Sequence, residues 1–188
     1  SLEALDGKQK RALNILQSLS KKNKIDIVCL EENSQKIKKK INFCNQEIRF
    51  KLSFFSRLIN AFISFLKFQP LQNGYFFSKE IAKFVQDNKD NYDTIIFHLI
   101  RCCQYHPSEF RGKTILEMTD LVSESYRQII IKLSIINPLK YIYILERFLI
   151  KMYERKVSNR FDNIVFISSK ELFEAKKFID KNKIIVVE

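Results

Sequence analysis

The chain has 188 residues, 46% apolar and 29% charged, with a formal net charge of +12. Those figures fit one folded domain with a sizeable core. With three Gly and three Pro, few turns and linkers are available, so residues 1–188 are expected to form a single domain. Seventeen Phe and seven Tyr without a Trp point to a dense aromatic core or an exposed aromatic face. The charge is uneven: residues 1–69 hold 14 Lys/Arg against 6 Asp/Glu, and residues 70–188 hold 19 against 15. Such a balance suits anionic partners, namely phosphates, acidic lipid or nucleic acid, or simply a soluble Lys-rich surface.

The four cysteines make no framework. Cys29 and Cys44 sit in apolar runs, and Cys102 and Cys103 are adjacent. There is no Cys-x-x-Cys or Cys/His ligand spacing, so no metal is expected. Reduced thiols in a cytoplasmic setting fit best. The sequence has no signal-peptide pattern, and no apolar run reaches the roughly 18 uncharged residues of a membrane span.

Gly7-Lys-Gln-Lys-Arg11 opens a helix with Leu13, Leu16 and Leu19 along one side, ending near Ser20. Ile25–Leu30 reads as a strand and Lys36–Lys40 as a charged connection. A second strand is expected over Asn42–Phe50 and a helix over Ser53–Phe68. Gln69-Pro-Leu-Gln-Asn-Gly74 then breaks the chain. A short helix spans Lys79–Gln86, and strands follow at Tyr92–His98 and Thr114–Thr119. A helix begins near Ser123. Asn137-Pro138 starts a long one running from Leu139 to about Asn159. Asn163–Ile167 is a strand, Ser168 or Ser169 caps a helix through Phe178, and Ile184–Val187 is a last strand. Strands alternating with helices predict parallel β-α-β units: an α/β, Rossmann-like, mostly parallel sheet with helices on both faces.

Two strands end on polar residues that a strand has no need of. His98 closes one, and Thr119-Asp120 closes the other. Ligands of open α/β sheets bind outside the carboxyl ends of the strands. His98, Arg101, Asp120, Ser123 and Tyr126 are therefore candidates for one site. The imidazole suits proton transfer or a sugar hydroxyl; a structural, hydrogen-bonded His is the rival role. Asp120 is placed either to act on a ligand or to cap the helix behind it. Arg101 has a planar fork suited to phosphate. Ser123 and Tyr126 lie one helical turn apart with Arg127 beside them. Lys8 and Arg11, at a helix start rich in cations, are further anion-binding candidates. No dinucleotide, Walker or nucleophile-elbow motif is present.

The order Gly7-Lys-x-x-Arg11, a strand, then Gln69-Pro-Leu-Gln resembles the amino-terminal domain of bacterial family-4 glycosyltransferases. Tyr92-Asp-Thr-Ile-Ile-Phe-His98-Leu-Ile-Arg101 and Ile115-Leu-Glu-Met-Thr-Asp120-Leu-Val-Ser123-x-x-Tyr126 are similar to that family's middle. Glu146-Arg147, Tyr153-Glu154-Arg155, Phe161-Asp162 and Val165-Phe-Ile-Ser168 continue the likeness, which spans nearly the whole chain. The resemblance implies one half of a GT-B enzyme, in which this half receives a sugar or lipid-linked acceptor. A second, carboxy-terminal half with a Gly-rich loop and a Glu-x7-Glu motif would bind the nucleotide-sugar donor. Cell-surface polysaccharide synthesis is the implied setting. Asp120 or His98 would then orient or deprotonate the acceptor hydroxyl, with Lys8, Arg11 and Arg101 on phosphate. Ser123, Tyr126 and Arg127 would complete the substrate surface. No cofactor is expected in this domain. The family often has a His-Asp pair where this chain has Thr119-Asp120, so only Asp120 carries over. On this reading the chain is an excised or truncated domain, lacking both the family's first strand and its second half, and inactive alone.

In Leu52–Phe68, Phe55, Leu58, Ile59, Phe62 and Leu66 form the stripe expected to face the core. The rival is an interfacial helix on an anionic membrane, peripheral on the inner face, with Lys36–Lys40 just upstream. A different class of function, a non-enzymatic basic α/β module for nucleic acid or acidic membrane, lacks any recognised nucleic-acid motif, and nucleic acid is not expected as a partner.

Overall fold

The computed structural model describes residues 7–31, 41–166 and 169–186. The chain divides into two compact units, 1–53 and 54–188. The first holds helix α1 (Gly7–Ser20) and strands β1 (Asp26–Glu31) and β2 (Gln46–Lys51). The strands pair in parallel, Asp26 opposite Gln46 and Glu31 opposite Lys51. Asn45 starts the register by donating from Nδ2 to Asp26 Oδ1 at 2.8 Å. The second strand therefore begins later than the apolar pattern suggested, because residues up to Asn45 are used in the turn. The Lys36–Lys40 cluster lies outside the described residues.

The second unit is built on four parallel strands in the order β3 (Thr94–His98), β4 (Lys113–Met118), β5 (Asn163–Phe166) and β6 (Ile184–Val186). The β4-to-β5 crossover contains α5 (Val122–Lys132) and α6 (Pro138–Ser158), and the β5-to-β6 crossover contains α7 (Ser169–Ala175). Before the sheet come α2 (Phe54–Leu66), α3 (Leu71–Tyr75) and α4 (Lys79–Asn88). This is the mixed α/β, parallel-sheet, Rossmann-like architecture that the sequence pattern predicts. Strands that run parallel in adjacent order bring their carboxyl ends to one edge, so His98 and the Met118-Thr119-Asp120 turn are neighbours by topology.

Each local choice has a visible cause. β4 and β5 are interior strands, so Leu116, Met118, Ile164 and Phe166 are all buried, as expected of a parallel sheet covered on both faces. Ile150 and Val157 of α6 join that core. Phe97 and Phe161 meet edge to face at 5.3 Å, and His106 packs on both rings. Asn137 caps α6 by accepting from Leu139 N at 3.0 Å, with Pro138 in the first turn. Ser78 caps α4 by accepting from Ile81 N at 3.3 Å. Tyr105 pins the preceding loop: its hydroxyl donates to Phe76 O at 2.7 Å and accepts from Ser78 N at 2.9 Å.

The expected core-facing stripe of α2 is the main correction. Phe55 is 77% exposed and Phe62 61%, and Leu58, Ile59 and Leu66 are exposed as well. At 3.6 residues per turn, Phe54, Phe55, Leu58, Ile59, Phe62, Ile63, Phe65 and Leu66 fill one half of the wheel. Ser56, Arg57, Asn60, Ala61 and Ser64 fill the other. The small and polar half is the one that packs. A β-carbon on Gly74 of α3 would lie 2.1 Å from Asn60 O and 2.5 Å from Ser64 Oγ, so the two helices touch backbone to backbone. Asn60 Nδ2 also donates to Phe77 O at 3.0 Å. Large apolar side chains have no room on this seam, which is why they point outward.

Gly74→Ala should therefore force α2 away from α3, at a cost on the order of 1–3 kcal/mol of overpacking. The measurement is the urea midpoint. An unchanged midpoint would mean that the helices are not in backbone contact at Gly74.

Candidate functional site

The carboxyl edge of β3 and β4 carries a histidine–carboxylate pair. His98 and Glu117 are opposite one another in the ladder, so their side chains leave the same face of the sheet. His98 Nδ1 contacts Glu117 Oε2. The Glu117 side chain is 5% exposed and that of His98 34%. A buried carboxylate thus fixes the ring and its tautomer, while Nε2 is left with no hydrogen-bond partner among the described residues. This is the base-plus-orienter geometry of proton-transfer sites. Glu117 was not among the residues the sequence singled out. Its signal was a carboxylate inside a strand whose other inward positions are apolar.

Two further features mark the same edge. Leu99, the residue after His98, has φ 73° and ψ 149°, a region that belongs almost wholly to glycine and is strained for Leu. Its amide donates to Glu117 O at 2.9 Å and its carbonyl accepts from Cys102 N at 3.0 Å. The strain therefore sits in the link between His98 and Arg101. Across the gap, Thr119 Oγ1 is buried and has no hydrogen-bond partner among the described residues, an exception in folded proteins that asks for a reason.

The other sequence candidates separate into groups. Asp120 Oδ2 accepts from Ser125 Oγ at 3.1 Å in the first turn of α5, so it steadies that helix start. Ser123 is buried, and its hydroxyl and amide donate to Glu154 at 2.6 and 3.2 Å. It is part of the interior rather than of an open surface. Arg127 pairs with Glu124 at 2.6 Å, and Glu124 also meets Arg147 at 3.6 Å. Arg101 sits over Phe76, its guanidinium carbon 4.3 Å from the ring centroid. Tyr126 is half-buried, in the field of Arg101 and Glu146, with its hydroxyl 3.4 Å from Gln72 Nε2. Burial, then the nearby Glu146 charge, push that hydroxyl up to about 12, so it stays neutral at ordinary pH. Lys8 and Arg11 belong to α1 in the first unit; the Lys8 side chain lies outside the described residues, and Arg11 is half-buried.

Seven residues separate Glu146 from Glu154, the spacing that the resemblance assigns to a donor-binding half. In this chain both carboxylates face inward from α6 and hold the starts of other helices. Glu146 accepts from Leu71 N at 2.8 Å and Gln72 N at 3.1 Å. Glu154 accepts from both Ser123 groups and from Val122 N. Carboxylates at helix starts complement the exposed amides and the dipole. Burial still dominates: it raises Glu146 above the ordinary range, and it pushes Glu154 up to about 7 against the hydrogen bonds that lower it.

A cavity of about 140 Å³ lies beside α5, lined by residues including Ser123, Lys151, Arg155 and Lys177. Its Lys177 is already paired with Glu174 at 2.6 Å. Among the described residues no group of three or more His, Cys, Asp or Glu is placed to hold a metal ion. No helix among them is long and apolar enough to cross a membrane. No family model, curated protein or solved structure matches the chain.

Glu154 sets a pH dependence of stability. Its carboxyl binds a proton more tightly folded, at about 7, than unfolded, at 4.5. Between those values the native state holds more protons, so unfolding free energy falls as pH rises, by at most about 1.4 kcal/mol per pH unit. The contribution is complete below pH 4.5 and gone above pH 7. Glu154→Gln should flatten the fall of Tm across that window, leaving the smaller slope of Glu146. An identical slope in the variant would show that Glu154 is not the titrating group.

Proposed function

We propose that this chain is the acceptor-side domain of a glycosyltransferase that moves a sugar from a nucleotide-sugar donor to a hydroxyl in cell-surface polysaccharide synthesis. The observation that carries the proposal is the His98–Glu117 pair at the carboxyl edge of a parallel sheet. In this reading His98 Nε2 takes the proton of the acceptor hydroxyl as the new glycosidic bond forms. The sugar's bond to the donor phosphate breaks, and the nucleotide leaves with those electrons. Glu117 holds the imidazole and stabilises the imidazolium. Asp120 positions the first turn of α5 through Ser125. The donor and its leaving phosphate belong to the second half that a GT-B enzyme requires.

The same reading puts the domain at the cytoplasmic face of an anionic membrane, in support of a lipid-linked acceptor. The outward half of α2 is apolar and aromatic. From Phe54 to Lys79 the chain has three cations and no carboxylate. A second stretch matches it: residues 125–145 have Arg127, Lys132 and Lys140 and no carboxylate. There Ile135 and Ile136 stand exposed, Ile136 at 88%. Their loop is held out by Lys140 Nζ donating to Leu133 O at 3.0 Å and Tyr141 Oη donating to Ile135 O at 3.1 Å. Exposed apolar residues in stretches that carry cations and no carboxylate are the composition of interfacial contacts with acidic lipid.

Turnover by the intact gene product with nucleotide sugars and a membrane extract tests the chemistry. His98→Ala should lower kcat by about 10²–10⁴-fold, the usual share of a general base. Glu117→Gln should lower it less, because the amide still reaches the ring but no longer carries the charge that steadies an imidazolium. Wild-type turnover in His98→Ala would remove the imidazole from the mechanism.

Membrane attachment is read by co-sedimentation with vesicles containing acidic lipid. Phe55→Ser with Phe62→Ser, or Ile135→Asn with Ile136→Asn, should each release most of the protein without lowering Tm, because these side chains are exposed. Full retention by both variants would sink the membrane placement.

A further inference from the structure

Helix α6 carries a ladder of cations. Arg147, Lys151 and Arg155 are spaced four residues apart, so they line one side of the helix. The ladder borders the cavity of about 140 Å³ beside α5, where Lys151 and Arg155 are joined by Lys177, just past α7. Ser123, Glu124 and Glu174 are the other polar residues on its wall. All of them belong to the second unit, and none is part of the His98–Glu117 pair.

The charges around this cavity do not balance. Like charges four residues apart on a helix repel. The first rung has a carboxylate: Arg147 meets Glu124 at 3.6 Å, and Glu124 also takes Arg127 at 2.6 Å. Lys151 and Arg155 form no ion pair with a described carboxylate. Glu174 is bonded to Lys177 at 2.6 Å, and that bond, then the charges of Lys177, Lys151 and Arg127, hold its carboxyl below the usual range. Five cations, Arg127, Arg147, Lys151, Arg155 and Lys177, thus share two carboxylates, Glu124 and Glu174, an excess of three. Glu154, behind Ser123, is pushed up to about 7 by burial, so it removes at most one of the three.

That excess sets the charge of the ligand. A carboxylate brings one negative charge, whereas a phosphate monoester brings about two at neutral pH, on three strong acceptor oxygens. The oxygens suit an ammonium group and a guanidinium fork together. The cavity is about ten times the volume that one water needs, which admits a phosphate with a group attached. Leu121 and Phe178 supply the apolar part of the wall, and the Arg155 guanidinium carbon lies 5.8 Å from the Phe178 centroid. An attached group would therefore meet carbon beside the cations.

We propose that Lys151 and Arg155, with Lys177 at the rim, form a binding site for a soluble phosphate dianion, either free phosphate or a phosphate monoester. A ligand there joins α5, α6 and the end of α7, and it stabilises the second unit as any ligand of the native state does. The site goes beyond the transferase reading, shares no residue with the His98–Glu117 pair, and is measured by binding alone.

Titration calorimetry and Tm test it on the whole chain at constant ionic strength, with inorganic phosphate, phenyl phosphate and, as a monoanion, acetate. Wild type should bind inorganic phosphate, with Tm rising as phosphate is added and unmoved by acetate. Lys151→Met with Arg155→Met keeps aliphatic contacts and should weaken phosphate binding by about tenfold or more. Lys79→Gln with Lys83→Gln removes the same charge from α4 and should bind as wild type does. Glu174→Gln takes away a competing carboxylate and frees Lys177, so it should tighten binding, a gain that a misfolded variant cannot give. Tighter binding of phenyl phosphate than of inorganic phosphate assigns the site to an ester, and the reverse assigns it to free phosphate. Equal losses in the two double variants would reduce the ladder to general surface charge and overturn the site. So would an acetate response equal to that of phosphate, or unchanged or weaker binding by Glu174→Gln. His98→Ala should bind phosphate as wild type does, so this inference and the catalytic one fail separately.

Discussion

Two buried carboxylates on α6 hold the second unit's site region in place. Glu146 closes the start of α3, and Glu154 closes the start of α5. Each satisfies backbone amides that a helix start leaves open. Without Glu146, the turn carrying Gln72, Tyr75 and Phe76 would have free amides in a part-buried place. Without Glu154, the segment between Asp120 and Tyr126 would lose its anchor. Both carboxylates are disfavoured by burial and retained by hydrogen bonding, so their worth lies in position rather than in net stability. Both anchors come from one long helix.

The strained backbone beside His98 is held by hydrogen bonds of its own. Leu99 occupies a conformation that costs on the order of 1–3 kcal/mol. Its amide and carbonyl are both bonded, to Glu117 and Cys102. Tyr105, a few residues on, ties this turn to the loop before α4. The turn is thus fixed at both ends, and the tension is stored where His98 gives way to Arg101. A histidine fixed by a buried carboxylate and a guanidinium fixed by an aromatic face are two solutions to one problem: holding a polar group still with part of it exposed.

The strands and most helices were legible in the sequence because apolar period and breakers act locally. Asn137-Pro138 announced α6, and the polar ends of β3 and β4 announced the sheet edge. The direction of α2 was not legible. Its wheel is cleanly divided, and the usual inference sends the apolar half inward. Gly74 decides otherwise, since its approach to Asn60 and Ser64 needs the small half, and that contact is nonlocal. Glu117 was overlooked for a related reason: its partner stands 19 residues earlier, and only the ladder register brings them opposite. The partners of Glu146 and Glu154 were not legible either, since nothing local to one helix says which distant amides its carboxylates will meet.

The positive charge of this chain is more organised than its net value suggests. In the second unit, Arg127 and Arg147 share Glu124, Lys177 has Glu174, and Arg57 and Arg101 lie on rings. A module that bound polyanions by charge alone would have cations spread along an open groove, with aromatic faces turned to stack bases. Here Tyr75 and Phe76 already carry guanidinium groups, and the exposed aromatics share their helix face with Leu and Ile. An aliphatic surface gives a nucleic acid little to bind, whereas acyl chains match it. The arginines of the second unit are thus held by carboxylates and ring faces rather than spread along an open groove.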